Sequence, residues 1–149
     1  MYLVSSCLAG INCRYNGSNS ENKYVAELVK VGKAIAICPE QLAGLPTPRA
    51  CCEIFIDENS NKRVISKDGV DLTKSFFKGA EKTLGIIKAA GIKKAILQSR
   101  SPSCGYGMVY DGKFSGKLIE GNGVVAELLM KNEIEVYTEN DLDKLNLNN

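Results

Sequence analysis

A chain of 149 residues, 44% apolar and 24% charged, is long enough for one hydrophobic core and is expected to form a single domain over residues 1–149. No apolar run approaches the roughly 20 residues that cross a bilayer. Residues 1–10 do not pattern as a secretion signal, and a formal charge of +2 on scattered lysines leaves no footprint for a nucleic-acid polymer.

A chain with these features is expected to stay in the cytoplasm. Six cysteines in that reducing compartment point to metal binding or thiol chemistry rather than structural disulfides. Histidine is absent, which excludes imidazole metal ligands and His-dependent triads. Proton transfer is left to carboxylates, hydroxyls, lysines and thiols.

Tyr2-Leu3-Val4-Ser5-Ser6-Cys7 reads as a buried strand ending in a thiol. A polar loop follows, with Asn16-Gly17 as a turn. Ser20 is placed to cap a helix over about 21–31, with Tyr24, Val25, Leu28 and Val29 on its apolar face. A second strand, 33–38, ends in Cys38 and runs into Pro39-Glu40, so a carboxylate lies two residues beyond a thiol.

Residues 52–56 and 63–65 flank a polar turn and predict a hairpin insertion over about 52–66. Asp71-Leu72-Thr73 starts the longest helix, carrying Phe76, Phe77, Ala80, Leu84 and Ile87 at helical spacing and ending at Gly91. A third strand, 94–98, leads into Ser99-Arg100-Ser101-Pro102-Ser103-Cys104-Gly105-Tyr106-Gly107. Tyr110 to Phe114 reads as a turn between short extended pieces.

Gly121-Asn122-Gly123 opens a helix over 124–130, a start whose free amides suit a phosphate. A last strand over 133–137, a short helix over 139–145 and a polar tail at 146–149 complete the chain. The alternation predicts a four-stranded, mostly parallel, Rossmann-like sheet with helices on both faces. Ligands of such sheets bind beyond the carboxyl ends of the strands, where Cys7, Cys38 and Cys104 fall.

Arg14, Arg49 and Arg100 lie in the Gly/Pro/Ser-rich loops near these thiols, where they are either contacts for an anionic ligand or exposed loop arginines. Thiolates select zinc, copper(I) or iron–sulfur clusters. No C-x2-C pair suggests a zinc ribbon. Three thiolates without histidine better suit a cluster with one open iron, which can act as a Lewis acid.

Ser6-Cys7-Leu8-Ala9-Gly10, Cys13-Arg14-Tyr15-Asn16-Gly17, Cys38-Pro39-Glu40, Gly44-Leu45-Pro46-Thr47-Pro48-Arg49, Ser101-Pro102-Ser103-Cys104-Gly105 and Tyr110-Asp111-Gly112 follow one another in this order. Over about residues 2–138 the chain resembles the TudS-like thiouracil desulfidase family. The resemblance implies a 4Fe–4S cluster on Cys7, Cys38 and Cys104, and a thiolated uracil base or nucleotide as substrate. Sulfur would be replaced by water, releasing hydrosulfide without net electron transfer.

Glu40 is then the candidate acid/base, with Ser101 or Ser103 relaying its proton. Arg14, Tyr15, Arg49, Arg100, Gly121, Asn122 and Gly123 are the candidate substrate contacts. The family often has Asp where this chain has Asn16, and apolar residues or proline in place of Ala50-Cys51-Cys52. Cys51 and Cys52 read as packing, and Cys13 is the strongest substitute ligand. Two other readings remain: a metal-free enzyme carrying sulfur as a persulfide on Cys104 or Cys7, with Arg100 lowering the Cys104 pKa, and a non-enzymatic iron–sulfur or nucleotide-binding module.

Overall fold

A computed structural model of the chain describes residues 1–145. β1 (Tyr2–Ser5) runs through a 3-10 turn (Ser6–Ala9) and a loop to α1 (Lys23–Lys30), then β2 (Ala34–Ile37) and a one-turn helix, α2 (Pro39–Leu42). The hairpin strands β3 (Cys52–Ile56) and β4 (Lys62–Ser66) lead to α3 (Thr73–Ala90) and β5 (Lys94–Leu97). A second hairpin, β6 (Met108–Tyr110) and β7 (Leu118–Glu120), precedes α4 (Val124–Lys131), β8 (Glu135–Thr138) and a 3-10 turn at Leu142–Lys144.

The central sheet has the order β2-β1-β5-β8 and is parallel throughout, with Leu3 beside both Ile35 and Ala95, and Ala95 beside Val136. Alternate side chains enter two cores. Leu3, Ala95 and Leu97 pack with Phe76, Ala80 and Ile87 of α3 and with Val125 and Leu129 of α4. Val4 and Ile96 face the other way, against Val25 and Leu28 of α1. Both faces are covered, which is why these strands are continuous apolar runs instead of alternating ones.

Local chemistry corrects several sequence expectations. Asn22, not Ser20, caps α1: its side chain accepts from the amides of Tyr24 and Val25. Ser20 instead accepts a hydrogen bond from Gln98 at 3.2 Å. Tyr24 and Phe77, assigned to apolar faces, are exposed. The expected helix over 139–145 shrinks to the single 3-10 turn, and the tail at 146–149 lies outside the described residues.

Gly91 does end α3 in the left-handed conformation, at φ 69°. The hairpin over 52–66 is antiparallel, pairing Cys52 with Ser66 and Ile56 with Lys62. Among the described residues, no helix is long and apolar enough to cross a membrane.

Candidate active site

Because β1, β2 and β5 are parallel, the segments that follow them emerge at one edge of the sheet. They deliver Cys7, Cys38 and Cys104 to a cavity of about 140 Å3. Cys13, Cys51 and Cys52 line the same cavity, and all six cysteines are free.

The loop carrying Cys104 is built by hydrogen bonds rather than by apolar packing. The Ser101 hydroxyl accepts from the amides of Ser103 and Cys104, both at 3.1 Å, and the Ser101 carbonyl accepts from Gly105 at 2.8 Å. Gly123, Val124 and Val125 donate their amides to the carbonyls of Gly105, Pro102 and Ser103, at 2.6, 3.0 and 2.8 Å. The α4 start expected to hold phosphate is therefore spent on the cysteine loop.

Gly121, Asn122 and Gly123 are absent from the cavity lining. Gly121 donates to Gly107, and the Asn122 side chain accepts from the Gly107 amide. In this structure the three residues support the cysteine loop from outside the cavity lining. On the other side of the loop, the Ser99 amide and hydroxyl both donate to the Glu139 carboxylate.

A polar chain crosses the cavity. Pro39 starts α2 at a position where a missing N–H costs nothing, and the helix presents Glu40 to the loop. Ser103 Oγ donates to Glu40 Oε2 at 2.9 Å, and Ser101 Oγ lies 2.9 Å from Ser103 Oγ. Two amides already donate to Ser101 Oγ, so its own proton is the one directed at Ser103. The polarity therefore runs Ser101 to Ser103 to Glu40. Arg49 Nε donates to Glu40 Oε1 at 3.0 Å, both side chains being largely buried.

Cys7 donates to Gln98 Oε1, while the Gln98 amide donates to Ser5 Oγ at 2.9 Å. Cys38 points at the Cys13 carbonyl, 3.9 Å away. A hydrogen bond with Cys13, and then burial, push the Cys38 thiol far above its ordinary range. For Cys13 the bond to Cys38 acts downward, but the bond to Cys7 and burial prevail, raising it to about 11. Burial lifts Cys104 to about 12, against hydrogen bonds with Ser5 and Ser103 that oppose it.

Burial, and not Arg100, dominates the Cys104 thiol, which counts against the reading of it as a metal-free nucleophile activated by that guanidinium. Soft, buried thiols of this kind are held as thiolates by a metal centre. Among the described residues no three ligating side chains converge on one point as a single ion requires. Cysteines that bind different irons of one cluster need no such convergence, so the donor set suits a cluster.

Arg14 and Tyr15 line the cavity as expected, the guanidinium lying 5.8 Å from the ring centroid. Arg100 also lines it, exposed and at φ 66°. The lining further includes Ser5, Gln98 and Tyr110, which sequence reasoning did not select. Gln98 ends an apolar strand, and that polar residue beside the cysteine loop was the available signal.

The model for 2-thiouracil desulfurase matches residues 2–141. The chain belongs to the 2-thiouracil desulfurase family. It is 43% identical over 150 residues to the uncharacterized protein YbbK of Bacillus subtilis, covering 97% of this chain and 99% of that one. Among solved structures it is similar to the 4Fe–4S-dependent thiouracil desulfidase TudS, at a TM-score of 0.88 and 38% identity over 99% of this chain and 95% of that one. The four-stranded sheet with its helices and hairpin is thus a fold shared with a desulfidase.

Proposed function

We propose that this member of the 2-thiouracil desulfurase family replaces the sulfur of a thiolated uracil with oxygen from water, using a 4Fe–4S cluster held by Cys7, Cys38 and Cys104. The observation that carries the reading is the meeting of these three thiols with the Ser101–Ser103–Glu40 chain in one cavity. When bound, a cluster with three cysteine ligands leaves one iron free of protein ligands and supplies Lewis acidity toward soft sulfur.

The chain's own residues handle the protons. Water gives up both protons as its oxygen becomes the ring carbonyl: the carbon–sulfur bond breaks with its electrons on sulfur, one proton leaves with that sulfur as hydrosulfide, and the other must be taken up by the protein. Atoms and electrons balance without an oxidant. Ser101 passes that proton through Ser103 to Glu40, along the hydrogen-bond polarity described above. Tyr15 and Tyr110 line the cavity and are the rings available to stack on the pyrimidine. Arg14 and Arg100, whose side chains make no ion pair among the described residues, are the cations available to a nucleotide phosphate.

The test is iron and acid-labile sulfide per chain after anaerobic purification, followed by hydrosulfide release from 2-thiouracil. About four of each per chain are expected in the parent. Cys7→Ser, Cys38→Ser and Cys104→Ser should each lose them, while Cys51→Ser and Cys52→Ser retain them. Iron-free protein after reconstitution, or a loaded protein that releases no hydrosulfide, refutes the reading.

A further inference from the structure

We propose that Arg49 is a positioning residue, which fixes the carboxylate of Glu40 so that one oxygen faces Ser103. The inference rests on the reading of Glu40 as the proton acceptor. Sequence reasoning offered Arg49 to the substrate as a free guanidinium. The structure spends it elsewhere. Of its five N–H donors, Nε reaches Glu40 Oε1 at 3.0 Å, Nη1 reaches the Pro46 carbonyl at 3.1 Å and Thr47 Oγ1 at 3.0 Å, and Nη2 reaches the Cys13 carbonyl at 2.8 Å. The side chain is 8% exposed, so a phosphate has no bidentate access to it.

Glu40 needs such an anchor for a physical reason. It sits on a helix of one turn, which has no stability of its own. Its neighbours are tied down independently, Gln41 to Thr47 Oγ1 at 3.0 Å and the Leu42 carbonyl to Lys82 at 3.1 Å, but neither bond touches the carboxylate. Among the described residues two partners do: Arg49 at Oε1 and Ser103 at Oε2. With Oε1 held by the Arg49 Nε–H and Oε2 by Ser103, rotation of the carboxylate is restrained and Oε2 is left for the proton. A lysine, with its flexible point charge, supplies attraction without a donor fixed by the other bonds of a guanidinium.

The experiment compares anaerobically loaded parent, Arg49→Lys, Arg49→Ala and Glu40→Gln, with iron per chain, kcat and KM for 2-thiouracil measured on each. Arg49→Lys and Arg49→Ala should keep parental iron and KM while kcat falls roughly 10- to 100-fold, the scale of a misplaced catalytic group. Guanidinium chloride at non-denaturing concentration should restore kcat in Arg49→Ala, and sodium chloride at equal ionic strength should not. A parental kcat overturns the proposal. So does a raised KM at parental kcat, which would make Arg49 a substrate contact, or an activity loss that follows iron loss, which would make it a support of the Cys13 loop. Full activity in Glu40→Gln would instead remove the acid/base reading beneath the proposal.

Discussion

Gly123 is the position at which one added methyl group should be felt in the active site. Its φ of −65° and ψ of 162° are open to any residue, so Gly123→Ala introduces no backbone strain and the effect is steric alone. A Cβ there would lie 2.4 Å from the Ser103 carbonyl oxygen, 2.6 Å from the Ser103 carbonyl carbon and 2.8 Å from the Gly105 nitrogen. All three are backbone atoms, so no side chain can swing aside. Restoring an ordinary 3.4 Å to the oxygen from 2.4 Å requires about 1 Å of movement between the α4 start and the cysteine loop.

That movement stretches the bonds from Gly123, Val124 and Val125 to the loop carbonyls, each contributing about 1 kcal/mol net. Overpacking alone costs about 1–3 kcal/mol. A combined loss of roughly 2–4 kcal/mol lowers the melting temperature by roughly 5–15 °C for a chain of this size. The displaced atoms belong to Ser103 and Gly105, which flank Cys104, so kcat should fall by up to about 100-fold in whatever protein remains loaded. Thermal melts, iron content and hydrosulfide release measure the three effects. Gly85→Ala is the control: it lies in α3 with nothing within 4 Å of its added Cβ, and should gain about 0.5–1 kcal/mol. Parental stability and turnover in Gly123→Ala would refute the reasoning.

Gly79→Ala should disturb the opposite wall, because its Cβ would meet the Pro39 carbonyl oxygen at 2.2 Å and push α2 off α3; a melt and an iron assay would show loss of stability together with loading, and an unchanged melt would contradict it. Glu40→Gln should retain iron and lose about 100- to 10,000-fold in kcat, as expected for removal of a proton acceptor; a loss of iron instead would assign the carboxylate a structural role. At Asp71, hydrogen bonds from Thr73, and then Arg63, hold the carboxyl down at about 2. A depressed folded-state pKa stabilises above the unfolded value and is lost as pH falls through about 2, so the stability difference between parent and Asp71→Asn should shrink between pH 4 and pH 2 in urea melts. A difference independent of pH would remove the argument.

The sheet was legible because both its faces are buried: four apolar runs, each ending in polar or Gly-rich segments, leave few alternatives. Gly91 and the hairpin over 52–66 were equally open to reading, since turn and cap chemistry is local. What escaped was non-local. Ser20 and Asn22 are both good caps in isolation, and only Gln98, distant in sequence, claims Ser20. A helix of four residues shows no period, so α2 could not be inferred from pattern.

Arg49 and the 121–123 turn show the same limit at the site. A loop arginine and a Gly-rich helix start both look available to an anion. In the structure their partners are Glu40 and the Cys13 carbonyl in one case, and the carbonyls of residues 102, 103 and 105 in the other. The meeting of Cys7, Cys38 and Cys104 in one cavity was legible because strand ends in a parallel sheet share an edge whatever the loops do.

The cysteines also belong to different cores. Cys7 and Cys13 are buried with α1 on one face of the sheet, and Cys38 packs against that set. Cys104 and Cys52 are buried with α3 and α4 on the other. A group bound by Cys7, Cys38 and Cys104 would therefore fasten the two cores together at one edge of the sheet, and its loss should loosen both. In hydrogen exchange, stripped protein should lose protection at the amides of Val124 and Val125, which hold the Cys104 loop, and at those of Ser20 and Asn22, which hold the Cys7 turn. Loosening on one face alone would mean that the thiols of the other face do not share the ligand.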